Sequence, residues 1–453
     1  MFDFDLIEKY NKPGPRYTSY PTAVLFKEGF SLDRAKQMIR EEGRRKEPLS
    51  LYVHIPFCHK LCWYCGCTML VERNRTKMDD HVDLLVKEIE LVGAEMGKGR
   101  TAGQVHFGGG TPTYLPPAQL ERIVAALRDF APFEPDVEQS VEIDPRQISD
   151  EHVTAIVRAG FNRVSLGVQD FDPIVQAAVN RIQPFELVAD RISALRSAGL
   201  EKINFDLMYG LPHQNMTRFN KTLDQVMSLD PSRISLFNYA HIPWKKAHMK
   251  LIKDETLPKP HEKLEILKFA IEYLNQHGYE YVGMDHFAKP DDPLVIAMKD
   301  ESMQRNFQGY STNGGLTMIG FGMSSISTYD KVYLQNTPDL TLYEAMVREG
   351  RLPIVKGLEL DADDLTRRGI INDLMCQFKL SIADIEQRVG AGFDQYFPGA
   401  REQLEDMADD GLLTRMDGGY RITFLGRMLI RNVAMVFDRY VEPIAAAKYS
   451  KTI

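Results

Sequence analysis

Cysteine is scarce in this chain and unevenly placed. Of 453 residues only five are cysteine, four of them inside FCHKLCWYCGC (57–67) and the fifth at Cys376. So few thiols cannot build a disulfide framework, and a reducing, cytoplasmic setting is expected. The opening MFDFDLIEKYNKPGPRYTSYPTA lacks a basic patch followed by an apolar run, so no secretory signal is expected. No run approaches the roughly 20 apolar residues of a membrane span. The most apolar late stretch, MLIRNVAMVFDRYVEPIAAA, is interrupted by Arg431, Asp438 and Arg439. Positive charge is also in deficit: 55 Lys and Arg against 63 Asp and Glu leave −8. That excludes the global basic field of a nucleic-acid binder, and an anionic ligand would need a local cluster of Arg and Lys. Repeats and low-complexity tracts are absent.

What is present is alternation. Apolar runs LSLYVHIPF (49–57), QVHFGGG (104–110), QSVEID (139–144), RVSLGVQ (163–169), KINFDLMYG (202–210) and RISLFNYA (233–240) read as strands. Between them lie segments with apolar residues at three- and four-residue spacing, such as DDHVDLLVKEIELVGAEM and PAQLERIVAALRDF. This is the pattern of right-handed βαβ units on a parallel sheet. Six strands fall short of a full eight-stranded barrel, so a partial barrel or an open sheet is expected, with ligands at the carboxyl ends of the strands. Residues 355–440 differ: helical patterns surround a DGG turn between short strands LLTRM and YRITF. A helical, winged-helix-like cap is expected, read as a lid rather than a DNA reader because acidic residues are interspersed throughout. The expected organisation is an N-terminal gating segment (1–48), a barrel (49–286), a connecting region completing the barrel edge (287–354) and the cap (355–453).

The clustered cysteines run Cys58-x3-Cys62-x2-Cys65-x1-Cys67. Zinc, a disulfide, a redox dithiol and an iron–sulfur cluster compete for such a group. Structural zinc sites commonly split four ligands into two pairs across a longer loop. No second pair exists here, and the CxC end chelates one tetrahedral ion poorly. A lone dithiol would not need four cysteines. Three thiolates in a loop leaving the first strand can instead hold three irons of a [4Fe–4S] cluster and leave the fourth open. Cys-x3-Cys-x-aromatic-Cys, with Tyr64 as the aromatic, resembles the signature of the radical S-adenosylmethionine enzymes. The resemblance implies that S-adenosylmethionine chelates the open iron and that one electron from the cluster yields methionine and a 5′-deoxyadenosyl radical.

Other motifs gain meaning beside it. HFGGGTPTYLP (106–116) follows the second strand, and its glycines allow backbone amides to approach a ligand closely. A glycine run alone is as often a tight turn, and this one matches neither a dinucleotide fingerprint nor a P-loop. Glu142, Asp144, Gln169 and Asp206 lie at strand ends, and Arg181 follows the fourth strand. Buried carboxylates are costly unless partnered, so amines or hydroxyls are expected against them.

At closer range GPRYTSYPTA (14–23), YVHIPFCHKLCWYCGC (52–67), HFGGGTPTYL (106–115), EIDP (142–145), SLGVQDF (165–171), DLMYGLP (206–212) and FNYAHIPW (237–244) resemble the oxygen-independent coproporphyrinogen III oxidase family nearly end to end. The resemblance implies an α/β fold, a partial (β/α)6 barrel of the radical S-adenosylmethionine type with a mostly helical C-terminal domain. It implies oxidative decarboxylation of two propionates of coproporphyrinogen III to vinyl groups, giving protoporphyrinogen IX. Cys58, Cys62 and Cys65 would hold the [4Fe–4S] cluster, and Cys67 would be an extra thiol needed for activity. Tyr52, Gly109, Glu142 and Ile326 would contact the cluster-bound S-adenosylmethionine. Gly110, Thr111, Gln169, Arg181, Asp206 and Ala240, with Tyr64 beside them, would line a second S-adenosylmethionine site. A low-potential electron donor, a monomer, and no nucleic-acid or membrane partner complete the expectation, with Lys12 and Arg16 as candidates for the propionates.

Two rivals are set aside. A haem chaperone of the same superfamily typically carries an aromatic residue where Cys67 stands and often lacks the long N-terminal segment. His54, His59 and Cys376 could ligate haem, but such residues are more often structural. A cluster-bearing DNA-binding sensor gives no account of the polar strand ends.

Overall fold

A computed structural model describes residues 4–441 and residue 449. The ends of the expected N-terminal segment and cap, at 1–3, 442–448 and 450–453, lie outside the described residues. The chain forms two compact units, one of Phe26–Lys259 with Gly315–Glu359 and one of Met1–Leu25, Pro260–Gly314 and Leu360–Ile453.

The first unit contains the expected strands in the expected order. They are β1 (Leu49–Ile55), β2 (Ala102–Gly109), β3 (Phe133–Ile143), β4 (Arg163–Gln169), β5 (Ile203–Tyr209) and β6 (Arg233–Asn238). Each pairs in parallel with the next. Strand β3 starts six residues earlier than expected from QSVEID; a register shift between Ala102 and Gln104 lets its polar first half, FEPDVE, join the ladder. On one face Leu51, Val53, Val105, Phe107, Val141, Val164, Leu166, Ile203, Phe205, Leu207 and Ile234 are all buried. Burying each such side chain stabilises the fold by roughly 1.5–3 kcal/mol.

The helices between the strands start where their caps stand. Asn74 caps α1 (Arg75–Met96), Ser149 caps α3 (Asp150–Ala159) and Asn215 caps α5 (Met216–Ser228), each accepting a backbone N–H. Helices α2 (Pro117–Phe130) and α4 (Phe185–Ser197) start at prolines instead. Beyond β1 the sheet continues through β7 (Thr317–Phe321), parallel to β1, then β8 (Ile326–Thr328), β9 (Val332–Asn336) and β10 (Ile354–Glu359), all antiparallel. The connecting region therefore divides, with Gly315 onward building this edge.

The second unit is mostly helical, with strands Lys379–Ser381, Gly419–Ile422 and Leu413–Met416 forming a three-stranded antiparallel sheet in that order. The DGG turn stands where expected, between the last two. Its core includes Leu374, Leu404, Phe393 and Phe437, and also Tyr10, Tyr17 and Tyr20 of the N-terminal segment. Tyr17 donates to Asp438 at 2.9 Å, and Arg16 pairs with Asp285. Residues 4–25 are thus anchored in this unit, while residues 26–48, including the helix Leu32–Glu42, belong to the first. Among the described residues no helix is long and apolar enough to cross a membrane.

Candidate active site

Side chains alternate faces along a strand, so the face opposite the apolar one is set by every second residue. There Tyr52 stands opposite His106, His106 opposite Ser140, Glu142 opposite Ser165, and Asp206 opposite both Gly167 and Ser235. This polar face has two belts.

The belt at the amino ends is closed on itself. Ser50 donates to Gln104 at 2.9 Å, Gln104 to Glu138 at 3.3 Å, and Arg163 bridges Glu138 and Asn204 at 3.2 and 3.0 Å. Burial alone would raise the Glu138 carboxyl, but Arg163 and Arg233 hold it below the ordinary range.

Towards the carboxyl ends the partners thin out. Tyr52 stacks on His106 with ring centroids 5.9 Å apart, and its hydroxyl lies 3.1 Å from His54 Nδ1. His54 Nε2 lies 2.9 Å from the Thr68 carbonyl, which can only accept, so Nε2 carries the proton and Nδ1 accepts from Tyr52. Glu142 accepts from His106 Nε2 at 3.4 Å and from the Gly109 amide at 3.1 Å. Those donors outweigh burial and keep Glu142 below the usual carboxylate range. Asp206 moves the other way: burial, reinforced by the Glu142 charge, pushes it up to about 7 despite the Ser165 hydroxyl at 3.1 Å. Two carboxylates on one face are therefore held in different protonation regimes, a common property of functional sites.

The cysteines sit in a loop with almost no secondary structure of its own, pinned from every side. Leu70 N donates to Pro56 O at 2.7 Å, Trp63 N to Val179 O at 3.0 Å, and Asn180 Nδ2 to Leu61 O at 2.8 Å. From the loop after β6, His248 Nε2 donates to Cys65 O at 2.8 Å and Lys246 Nζ to Cys67 O at 3.0 Å. The glycines after β2 belong to the same clamp. A Cβ on Gly110 would sit 2.7 Å from the Pro56 carbonyl oxygen, and one on Gly109, at φ +113°, 2.7 Å from the His54 ring. Gly110 N donates to Ile55 O at 2.8 Å and Thr111 N to Phe57 O at 2.9 Å. The amide donation expected towards a ligand is thus taken up within the protein; the glycines admit the end of β1.

Each thiol has a different setting. Cys58 lies 3.4 Å from the Thr111 hydroxyl, and burial pushes it up to about 12. Cys62 is buried, with Arg181 Nη1 at 3.6 Å and Arg146 Nη2 at 3.7 Å from its sulfur. Cys65 is lowered, first by a hydrogen bond from the Cys67 thiol and then by Lys246 and His248, while the same bond holds Cys67 protonated. Cys67 is the exposed one of the four. Among the described residues no three His, Cys, Asp or Glu stand as the donor set of one metal ion. Separate thiols on one pinned loop fit a cluster, in which each thiolate binds its own iron.

The remaining expected residues gather at the same strand ends. Gln169 ends β4 at φ +64°, a left-handed conformation rare for a residue with a side chain and typical of functional sites. Gly167 leaves room for it: a Cβ there would lie 2.9 Å from both Gln169 Nε2 and Arg181 Nη2. Arg181 is buried, donating to Gly167 O at 2.6 Å and Gln183 Oε1 at 3.0 Å. Gly320 stands opposite Tyr52, and the Ile326 carbonyl passes 2.7 Å from where its Cβ would be. Tyr64 packs with Trp63 on a cluster around Val175 and Tyr239, and Ala240 stands exposed just past β6. Cys376 donates to Asn372 Oδ1 at 3.5 Å in the other unit, and His59 lies 3.4 Å from the Tyr114 hydroxyl. His106, Arg146, Lys246 and His248 are site neighbours that the motifs did not disclose. For His106 the signal was its phase in QVHFGGG, one residue out of step with the apolar face.

Comparison with known proteins agrees with this geometry. The radical SAM superfamily model matches residues 52–226, and the HemN C-terminal domain matches residues 360–429. The oxygen-independent coproporphyrinogen III oxidase of Helicobacter pylori J99 is 42% identical over 100% of this chain and 99% of that protein. Its counterpart in Escherichia coli K12 is 44% identical over 97% of this chain and 96% of that protein. The solved structure of coproporphyrinogen III oxidase (HemN) from Escherichia coli, a radical SAM enzyme, superposes with TM-score 0.91 at 43% identity, covering 97% of this chain and 99% of that one. Identity of 42–44% over nearly the whole length, on a six-stranded parallel array, places this protein in the family of oxygen-independent coproporphyrinogen III oxidases, which use a [4Fe–4S] cluster and S-adenosylmethionine.

Proposed function

We propose that the chain oxidatively decarboxylates two propionate side chains of coproporphyrinogen III to vinyl groups, giving protoporphyrinogen IX. Whole-length likeness to relatives of that name supports the reaction. The observation that carries it within the site is that Cys67, unlike Cys58, Cys62 and Cys65 of the same loop, is exposed. When bound, the cluster and S-adenosylmethionine would supply a carbon-centred radical able to take hydrogen from a propionate β-carbon.

The residues of this chain hold and orient. Cys58, Cys62 and Cys65 ligate the cluster, and Cys67 stays a thiol facing the substrate. Tyr52, Gly109, Glu142 and Ile326 hold the first S-adenosylmethionine, Glu142 doing so as an anion. Gly110, Thr111, Gln169, Arg181, Asp206 and Ala240, beside Tyr64, hold a second. In this reading the protein works as a cytoplasmic monomer and draws electrons from a low-potential donor.

One anaerobic assay tests the reading. Reconstituted protein with dithionite, S-adenosylmethionine and coproporphyrinogen III yields protoporphyrinogen IX and 5′-deoxyadenosine. Tight stoichiometric haem binding with no decarboxylation would overturn it in favour of a haem chaperone.

A further inference from the structure

Two arginines reach the sulfur of Cys62, Arg181 at 3.6 Å and Arg146 at 3.7 Å, and Asp144 holds both. Strand β3 ends at Ile143, and the single turn Pro145–Gln147 follows, capped by Asp144, which accepts the Arg146 amide at 3.0 Å. That turn folds the Arg146 side chain back onto its own cap. Nε and Nη2 grip the two Asp144 oxygens at 2.9 and 2.6 Å, the fork geometry that fixes a guanidinium in direction as well as in distance. Arg181 Nη1 reaches Asp144 Oδ2, the oxygen also held by Arg146 Nη2, at 3.2 Å. Side-chain exposures of 9% for Asp144, 8% for Arg181 and 14% for Arg146 place all three where charge interactions are weakly screened.

The charge count is informative. Two guanidiniums share one carboxylate, and Asp144 is itself held down to about 2 by Arg181 and Arg146 against burial. The trio therefore carries a net positive charge, and both arginines direct an N–H at one sulfur. A neutral thiol would leave that charge unbalanced; a thiolate balances it. Among the described residues Cys58 has the Thr111 hydroxyl beside it and no guanidinium, and Cys65 has Cys67 first, then Lys246 and His248. The three thiols are thus electrostatically unequal.

We propose that Arg146, aimed by Asp144, is a positioning residue that donates to the cluster thiolate of Cys62 and raises the cluster's reduction potential. The inference rests on the reading of Cys62 as a cluster ligand. Hydrogen bonds and positive charge at cluster sulfurs stabilise the reduced, more negative state and so make it easier to reach. Arg181 shares the sulfur but is also tied to Gly167 and Gln183, whereas Arg146 is oriented through Asp144.

The test is a redox titration of the reconstituted protein without substrate, followed by the electron paramagnetic resonance of the reduced cluster. Arg146→Gln is expected to keep the wild-type iron content while its reduced fraction at a fixed potential falls about tenfold, ~59 mV for one electron. Arg146→Lys, which keeps the charge but loses the fork, is expected to recover part of that shift. An unchanged potential in Arg146→Gln at full iron content would overturn the proposal. Loss of the cluster from Arg146→Gln would overturn it too, because the arginine would then be a scaffold. A wild-type protein that takes up no cluster would instead overturn the assignment of the thiols.

Discussion

Glu138 and Glu142 lie four residues apart on one strand, on the same face, yet they inhabit different chemical settings. Glu138 belongs to the amino-end belt, where Gln104, Arg163 and Arg233 satisfy it within the protein. Glu142 belongs to the carboxyl-end belt, where one imidazole and one amide are its hydrogen-bond partners and 41% of its side chain stays exposed. The contrast repeats along the sheet between Gln104 and His106, and between Asn204 and Asp206. Moving one or two pleats along each strand separates groups that hold the barrel together from groups left to meet something else. Parallel strands make this possible because all their carboxyl ends point the same way.

The largest effect that would sharpen this contrast lies at the carboxyl ends. Cys67→Ser is expected to keep the visible absorption of the cluster, while product formation falls at least ~10³-fold, ~4 kcal/mol of barrier. Cys62→Ser is expected to lose absorption and product together. If Cys67→Ser also loses its cluster, the three-to-one division is wrong. Next comes the closed belt: Arg163→Met leaves Glu138 short of its bridging partner and is expected to cost ~3 kcal/mol in denaturant unfolding, with turnover per folded molecule unchanged. Replacing Glu138 by Met as well should recover most of that loss. A fall in turnover without a fall in stability would break the distinction between the belts. Glu142→Gln should do the reverse, lowering kcat/KM about 10²-fold, ~2.7 kcal/mol, at little cost in stability.

Much of this was legible in the chain. Alternating runs gave the six parallel strands because apolar residues at every second position have few other ways to be buried. The cysteine spacing singled out the loop, and the polar residues at strand ends singled out the wall. What stayed hidden is partnership across distance. Lys246 and His248 reach Cys67 and Cys65 from 179 and 183 residues away, and nothing in HIPWKKAHMK signals that they donate to those carbonyls. GGG announced close approach but not of what: the neighbour turned out to be the end of β1. The break at Leu25 was equally silent, because the tyrosines of YNKPGPRYTSYPTA find their core among residues hundreds of positions later.

The finest test of the two belts uses pH. Asp206 carries a folded pKa of about 7, raised by burial and by Glu142. A raised carboxyl is protonated through the range in which an ordinary aspartate is already ionised, so ionising it costs stability as pH climbs from about 4 to 7. Its capacity to accept from ligand amines or hydroxyls follows the opposite sign and is complete only above 7. Titration calorimetry of S-adenosylmethionine binding to the cluster-loaded protein is therefore expected to show about tenfold weaker affinity at pH 6 than at pH 8. Asp206→Asn should flatten that dependence while lowering affinity at pH 8. In the closed belt the sign reverses, because Glu138 is held below its ordinary range and stays ionised throughout this window. Glu138→Gln should thus lower stability equally at pH 6 and pH 8 and leave the slope of binding untouched. A slope that survives Asp206→Asn but disappears in Glu138→Gln would show that the belts are one coupled network rather than two.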